Sequence, residues 1–95
     1  METLITVTVT LLPPFSRAVA GDKIAVSLLE GSTMRDLLRQ LGRNYEQLET
    51  HLKDGGGEEE IRLRMLIIHN GHLGRLDRVV REGDCIKLFQ PLQGG

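Results

Sequence analysis

Residues 4–12 read LITVTVTLL, and this stretch decides what kind of fold the chain forms. Apolar residues occupy every odd position from 5 to 11, while threonines stand at positions 6, 8 and 10. An alternation with period two, rich in β-branched side chains, predicts a strand that buries one face. Pro13-Pro14 ends the strand, since proline has no N–H for the sheet ladder. The sequence therefore predicts a first strand over Leu4–Leu12 whose apolar face packs against another element.

The residues that follow predict a second strand and then the helix that covers the sheet. Lys23–Leu29 reads KIAVSLL, again alternating, and its short connection to the first strand favours an antiparallel hairpin. We predict a helix over Thr33–Leu41, because Thr33 and Asp36 stand three residues apart, as in a capping box, and Gly42 is a natural stop. One face of this helix is apolar, with the spacing i, i+3, i+4 and i+7: Met34, Leu37, Leu38 and Leu41.

The second half of the chain predicts two more strands around turns. Asn44–Leu52 has the pattern of a weaker second helix, and Asp54–Glu60 reads as a polar, glycine-rich loop. The third strand lies within Ile61–His69, before the hairpin signal Asn70-Gly71, and Cys85–Gln90 forms the last strand. The predicted order is strand, strand, helix, strand, turn, strand and tail. Beneath the apolar helix face, the predicted core contains Ile5, Val7, Val9, Ile24, Val26, Ile86 and Leu88.

Composition and charge limit the function classes. The 95 residues suit one domain, which we place at residues 1–90, followed by a tail at residues 91–95. Lys and Arg number 12 and Asp and Glu 13, a balance that argues against a nucleic-acid partner, which needs a clustered basic face. No run of about 20 apolar residues would span a bilayer, and the N-terminus lacks the pattern of a signal peptide. A single cysteine excludes an internal disulfide, and we expect a cytoplasmic protein with no membrane partner.

The usual catalytic residues form no constellation. His69 and His72 flank a predicted turn, and we interpret them as surface histidines rather than metal ligands. Cys85 has no activating base beside it other than Lys87, so we interpret it as a structural strand residue. We therefore predict no metal site and no independent active site, which leaves open whether the protein acts as an enzyme in its own right.

The end of the chain is its unusual feature. Gly94-Gly95 follows a strand and Pro91, and the five residues from Pro91 onward reach about 17 Å when extended. Two residues without side chains can pass through a narrow channel and leave a terminal carboxylate open to attack ATP. We predict that this tail enters the active site of another protein.

Several segments together resemble the MoaD/ThiS sulfur carriers. They are Gly31–Leu38 and, in the C-terminal half, Asn70-Gly71 after a strand, the Glu82–Asp84 turn, and Leu88–Pro91 leading to Gly94-Gly95. The resemblance covers most of the chain apart from the loops at residues 13–21 and 43–60. It implies an α+β fold, the ubiquitin-like β-grasp, in which a mixed sheet carries one main helix and ends in a flexible C-terminal tail.

The resemblance also implies a mechanism. An adenylating enzyme related to ubiquitin-activating enzymes joins Gly95 to AMP from ATP. A persulfide on a sulfurtransferase then converts the adenylate to a thiocarboxylate. The carrier holds no permanent cofactor, since ATP is used by the activating partner. Gly95 is then the reacting residue, and the residues expected to contact partners are Gly94, Gln93, Leu92, Pro91 and Phe89.

Phe89 enters that set through strand alternation. If Ile86 and Leu88 face the helix, Phe89 lies on the opposite face of the sheet, next to the tail. Aromatic side chains commonly anchor protein interfaces, so we predict that Phe89 contacts a partner.

The sequence motifs favour one sulfur acceptor but leave several others open. We favour the carrier subunit of a sulfurtransferase of the molybdopterin synthase type, with the synthase large subunit as partner, because Pro91 stands where that type carries a proline. Leu88-Phe89-Gln90 is closer to the thiazole type, so carriers for thiamine thiazole, for cysteine or for another sulfur metabolite stay open. A protein modifier, and a binding module that only shares the fold, are further alternatives.

Overall fold

The alternating N-terminal stretch forms the strand around which the sheet is built. The structure is a computed structural model that describes residues 2–12, 22–45 and 65–89. Odd-numbered side chains of the first strand are buried, and most even-numbered ones are exposed, as the alternation predicts. In chain order the elements are β1 (Leu4–Leu11), β2 (Lys23–Leu29), α1 (Met34–Asn44), β3 (Leu66–His69), β4 (His72–Leu73) and β5 (Cys85–Phe89).

The sheet is mixed, with the order β2-β1-β5-β3-β4. β1 pairs antiparallel with β2 and parallel with β5, while β3 pairs antiparallel with both β5 and β4. This arrangement, with α1 packed across one face, confirms the β-grasp expectation. The boundary predicted between residues 1–90 and the tail at 91–95 stays a prediction, because residues 90–95 lie outside the described residues.

A single apolar core lies between α1 and the sheet. The predicted core residues are buried there, except Ile24, which is half-buried and packs against the cluster. The loop after β4 adds side chains that no periodic pattern marks, because they lie outside regular elements. Leu11 and Leu28 continue the predicted alternation of β1 and β2, and the other core residues outside the predicted set are Met65, Ile67, Leu76 and Val80.

The helix begins as predicted and ends later than predicted. Thr33 is the N-cap, and its side chain and that of Asp36 bond reciprocally to each other's backbone N–H in a capping box. Gly42 is a buried position inside α1 rather than its end, so the predicted stop at Leu41 is wrong. A glycine ends a helix by adopting a positive φ, and among the described glycines only 31, 71 and 83 do so.

No helix in the described ranges has the length and apolar character that a membrane crossing requires.

Tyr45 marks the actual end of α1. Its backbone is extended, and its N–H donates to the carbonyl of Leu41 at 2.9 Å, which closes the last turn. The predicted second helix over Asn44–Leu52 is therefore wrong at its start, since Asn44 still belongs to α1. The remainder of that segment lies outside the described residues.

The Asn70-Gly71 signal produces a hairpin, as predicted. Asn70 has φ 51° and Gly71 φ 85°, so both central residues are left-handed, as a type I′ turn requires. The hairpin adds the short strand β4, which the predicted element order did not contain. Two residues are too few for any periodic signal, so β4 is visible only through its pairing with β3.

The outer edge of β2 carries a side-chain hydrogen bond. Gln40, on α1, donates its Nε2 to the backbone carbonyl of Ser27 at 2.8 Å. β2 is an outer strand of the described sheet, and Ser27 pairs with Thr6 on the opposite side. The helix therefore contacts the free edge of the sheet as well as its buried face.

The capping box gives the first testable prediction. Thr33→Ala should lower the free energy of unfolding by about 1 kcal/mol, because the Asp36 N–H loses its acceptor at the helix N-terminus. Thr33→Ser is the matched control, since it keeps the hydroxyl and should lose much less. Chemical denaturation of both variants measures the difference. Equal losses would show that the threonine methyl group, and not the cap, stabilises this end.

Candidate functional site

The chain leaves the sheet from β5, whose place in the described sheet is between β1 and β3. Phe89 is the last residue of β5 and the last that the structure describes. The predicted reacting residue and four of the predicted partner contacts follow it, outside the described residues: Gly95, Gly94, Gln93, Leu92 and Pro91. Their roles stay predictions, whereas the side of the sheet on which Phe89 lies can be read directly.

Alternation along β5 places Phe89 on the face opposite the helix. Ile86 and Leu88 are fully buried under α1, while Cys85 and Lys87 are exposed on the other face. Phe89 is half-buried there and lies directly across from Leu66 of β3. The predicted orientation of β5 is therefore confirmed.

Phe89 belongs to an apolar surface on this open face of the sheet. Ile68 lies on the same face, paired with Lys87 on one side and with Leu73 on the other. Leu73 is 56% exposed, and together with its neighbours on this face it forms a contiguous apolar patch. We call Leu66, Ile68, Leu73 and Phe89 the open-face surface. It lies beside the point where the chain leaves β5.

Sequence analysis found only Phe89 of these four residues. Leu66-Ile67-Ile68 is a continuous apolar run, so its alternation between a buried and an open face cannot be read from the letters. The structure separates them, because Ile67 is buried while Leu66 and Ile68 are only half-buried. Leu73 belongs to the two-residue strand that was not predicted.

A polar network lies at the opposite end of β5. The Nε2 atom of His69 is 2.6 Å from Oδ2 of Asp84, and Asn70 donates its Nδ2 to Oδ1 of the same carboxylate at 2.9 Å. The Arg81 N–H donates to Oδ2, also at 2.9 Å. Asn70 in turn accepts from the Cys85 N–H, so the β3–β4 turn is tied to the start of β5.

His69 differs from its predicted role. Its side chain is only 11% exposed, so the interpretation as a surface histidine is wrong for His69, although His72 is exposed. His69 pairs with Ile86 on one side and with His72 on the other, so both histidines lie on the helix side of the sheet. His69 is covered because β3 lies inside the sheet and Asp84 contacts its ring, whereas His72 is on the outer strand β4. Among the described residues, no group of three or more His, Cys, Asp or Glu side chains could hold a metal ion.

The environment of Asp84 lowers the pKa of its carboxyl group. Burial alone would raise the pKa of this carboxyl, but hydrogen bonds from Asn70, His69 and the Arg81 N–H outweigh burial and lower the pKa below its ordinary value of 3.8. A nearby His69 charge acts in the same direction. The folded protein therefore favours the carboxylate form.

Cys85 has no feature of an activated thiol. It is exposed on the open face, and its Sγ contacts the carbonyl of Gly83 at 4.0 Å. No cation in the described part of the chain is hydrogen-bonded to it. The interpretation of Cys85 as a strand residue without an activating hydrogen bond therefore agrees with the described part of the chain.

The sheet, the helix and a chain that leaves from a central strand define a ubiquitin-like protein. Solved structures share this fold. SAMP1 from Haloferax volcanii superposes with a TM-score of 0.79 at 22% identity, over 95% of this chain and 99% of that one. The putative molybdopterin converting factor, subunit 1, from Pyrococcus furiosus has a TM-score of 0.77 at 24% identity, over 93% and 99%.

Family membership follows from the sequence comparison. The model of the ThiS family matches residues 10–95, so the chain belongs to the ThiS family, and the resemblance to MoaD/ThiS carriers is confirmed. A complex of subunits 1 and 2 of the molybdopterin-converting factor from Helicobacter pylori is also similar, with a TM-score of 0.59 at 22% identity over 96% of this chain and 100% of that one. Curated proteins supply no match.

The Asp84 network predicts how stability depends on pH. Because the folded pKa of Asp84 is lowered, its contribution to stability is present above pH 3.8 and is lost as the pH falls through the folded pKa. At neutral pH, Asp84→Asn should therefore unfold more easily than the parent chain, by about 1–3 kcal/mol, the range for hydrogen bonds to a charged group. The two should converge in acid.

Denaturation midpoints measured from pH 7 down to strong acid test this prediction. Asp77→Asn is the matched control, because Asp77 is exposed and its contact with Arg75 is a long 3.4 Å. The control should follow the parent chain at every pH. A gap between Asp84→Asn and the parent that stays constant into acid would rule out the carboxylate as its cause.

Proposed function

We propose that this protein is a sulfur carrier that works through the terminal carboxylate of Gly95. The observation that carries the proposal is the family match, which runs from residue 10 through β5 to Gly94-Gly95, with four residues between the end of that strand and Gly94. In this reaction the carboxylate attacks the α-phosphate of ATP in an activating enzyme and releases pyrophosphate. The outer sulfur of a persulfide on the sulfurtransferase then displaces AMP, which gives an acyl disulfide. A second thiol cleaves the S–S bond of that intermediate, forming a disulfide with the sulfurtransferase cysteine and leaving a thiocarboxylate on Gly95.

The chemistry explains why the carrier needs a partner at each step. A carboxylate is a poor acyl donor, and adenylation supplies a good leaving group, which divides one difficult step into two easier ones. In this proposal the carrier supplies no acid or base of its own, so activation belongs to the adenylating enzyme and sulfur supply to a sulfurtransferase. ATP is consumed by the activating partner, and the carrier needs no resident cofactor.

For the sulfur acceptor we propose a molybdopterin synthase large subunit. Two similar structures support this choice, one of a putative molybdopterin converting factor subunit 1 and one of a complex of subunits 1 and 2. SAMP1 is a small archaeal modifier protein, so its similarity favours protein modification as a second candidate. Both use the same activated end and differ in whether sulfur or a lysine amine attacks it.

The open-face surface is the proposed docking site for these partners. It is apolar, and it contains both the half-buried Phe89, the last residue of β5, and the more exposed Leu73. A partner that covers it would hold the residues after Phe89 in a fixed direction. That restraint matters, because acyl transfer requires reacting atoms about 3–3.5 Å apart.

Intact mass spectrometry tests the proposed chemistry. After incubation with an activating enzyme, ATP and a sulfur donor, the chain should gain about 16 Da, because sulfur replaces one oxygen of the activated acyl group. Deleting Gly95 should abolish the gain, since the deletion withdraws the reactive carbon by about 3.5 Å. Cys85→Ala is the matched control and should react normally.

The opposite pattern would overturn the proposal. If Cys85→Ala loses the mass gain while the Gly95 deletion keeps it, sulfur is carried on the thiol. Formation of adducts to lysine residues, with no sulfur delivered to the synthase large subunit, would favour the modifier. Circular dichroism of each variant checks that the fold is unchanged.

The docking role of Phe89 gives a separate prediction. Phe89→Ala should weaken binding to the synthase large subunit by about 1–3 kcal/mol, as expected when an interface anchor is truncated. Its melting temperature should change little, since Phe89 lies outside the core cluster. Leu29→Ala is the control, because Leu29 is 45% exposed at the far outer strand. A large loss of stability with unchanged affinity would make Phe89 a structural residue.

A further inference from the structure

A shallow pocket with three arginines lies away from the open-face surface. It is formed by the loop between β4 and β5 together with the β3–β4 turn, and its volume is about 590 Å³. We call it the arginine pocket. It is lined by His69, Asn70, Arg75, Asp77, Arg78, Val79, Arg81 and Asp84.

The two carboxylates of the arginine pocket are already engaged within the protein. Asp84 accepts hydrogen bonds from Asn70 and from the Arg81 backbone and contacts His69 at 2.6 Å, so its oxygens are occupied. Asp77 contacts Arg75 at 3.4 Å, and both side chains are more than half exposed. Such exposed pairs contribute little and exchange readily with other partners.

Two guanidinium groups remain without a partner. Within residues 2–12, 22–45 and 65–89, the side chains of Arg78 and Arg81 have neither a hydrogen bond nor an ion pair, and both residues are exposed. With three arginines and two aspartates, the pocket carries an excess of positive charge even when His69 is neutral. Arginine presents a planar fork of donors that matches phosphate oxygens in pairs.

We propose that the arginine pocket binds a phosphoryl oxyanion, carried either by an inorganic polyphosphate or by a nucleotide. Its volume lies within the range of small-molecule sites, roughly 300–1,000 Å³. Among the described residues of its lining, Val79 is the only aliphatic side chain. The one aromatic ring there, His69, is only 11% exposed and is held against Asp84, so it offers little surface for stacking on a nucleobase. Recognition therefore rests on the phosphates and not on the base.

The position of the arginine pocket makes it independent of the proposed sulfur chemistry. Asp84 precedes the first residue of β5, and Phe89 is its last, so the strand separates the pocket from Phe89 by about 17 Å. The pocket residues also share none of the open-face surface. A phosphate in the pocket would leave the open-face surface uncovered, and the inference stands whether or not Gly95 carries sulfur.

Titration of the full chain with tripolyphosphate tests the proposal. At constant ionic strength, backbone amide NMR signals of residues 75–84 should shift saturably, while those of β2 should not. Arg78→Gln combined with Arg81→Gln should weaken binding at least about tenfold, because two charge-assisted contacts are lost. Arg43→Gln is the matched control, since Arg43 is an exposed arginine in the last turn of α1.

Comparing several ligands tests which chemical group the arginine pocket recognises. ATP should bind about as well as tripolyphosphate, and adenosine should not bind. Loss of binding in Arg43→Gln equal to that in the double variant would mean general charge attraction and overturn the proposal. So would saturable binding of a hexaglutamate peptide in preference to tripolyphosphate, which would make the pocket a contact for an acidic protein. Thermal unfolding of each variant confirms that the comparison is between folded chains.

Discussion

Burial of one face of β1 is the constraint on which the rest of the structure depends. Val7, Val9 and Leu11 are completely buried, and the strand is hydrogen-bonded on both edges, to β2 and to β5. The parallel register with β5 fixes which residues of β5 point inward. A slip of one residue would reverse the faces, placing Phe89 in the core and Leu88 on the open face. The proposed docking site is thus set by the packing of β1, although the open-face surface contains no residue of that strand.

Much of this fold could be predicted from local patterns. β1, β2, the capping box at Thr33 and the Asn70-Gly71 turn each combine a clear period with a specific end signal, so local and global preferences agree. The helix end could not be predicted in the same way. Glycine is common at helix C-termini, but Gly42 is helical and buried inside α1. Tertiary packing decides whether the helix continues through this residue, and the local sequence does not show that packing.

The candidate site also has features that local sequence patterns could not predict. The chemistry expected of Gly94-Gly95 came from a family resemblance, since no spacing of residues in one sequence shows that a carboxylate will be activated. The His69–Asp84 contact joins residues 15 positions apart, and no periodic pattern links them. The arginine pocket likewise depends on how an irregular loop folds back onto the β3–β4 turn. Contacts between residues so far apart in the sequence can be identified only from the structure.

The hydrogen bond between Gln40 and Ser27 has a consequence for the behaviour of the chain at high concentration. An outer strand with free carbonyls is a template on which a second copy could extend the sheet without limit. Here the Ser27 carbonyl that points away from β1 already accepts a donor from the helix. Lys23 adds a charge on the same strand. A second copy that paired with β2 at Ser27 would have to displace this internal bond before it could form its own.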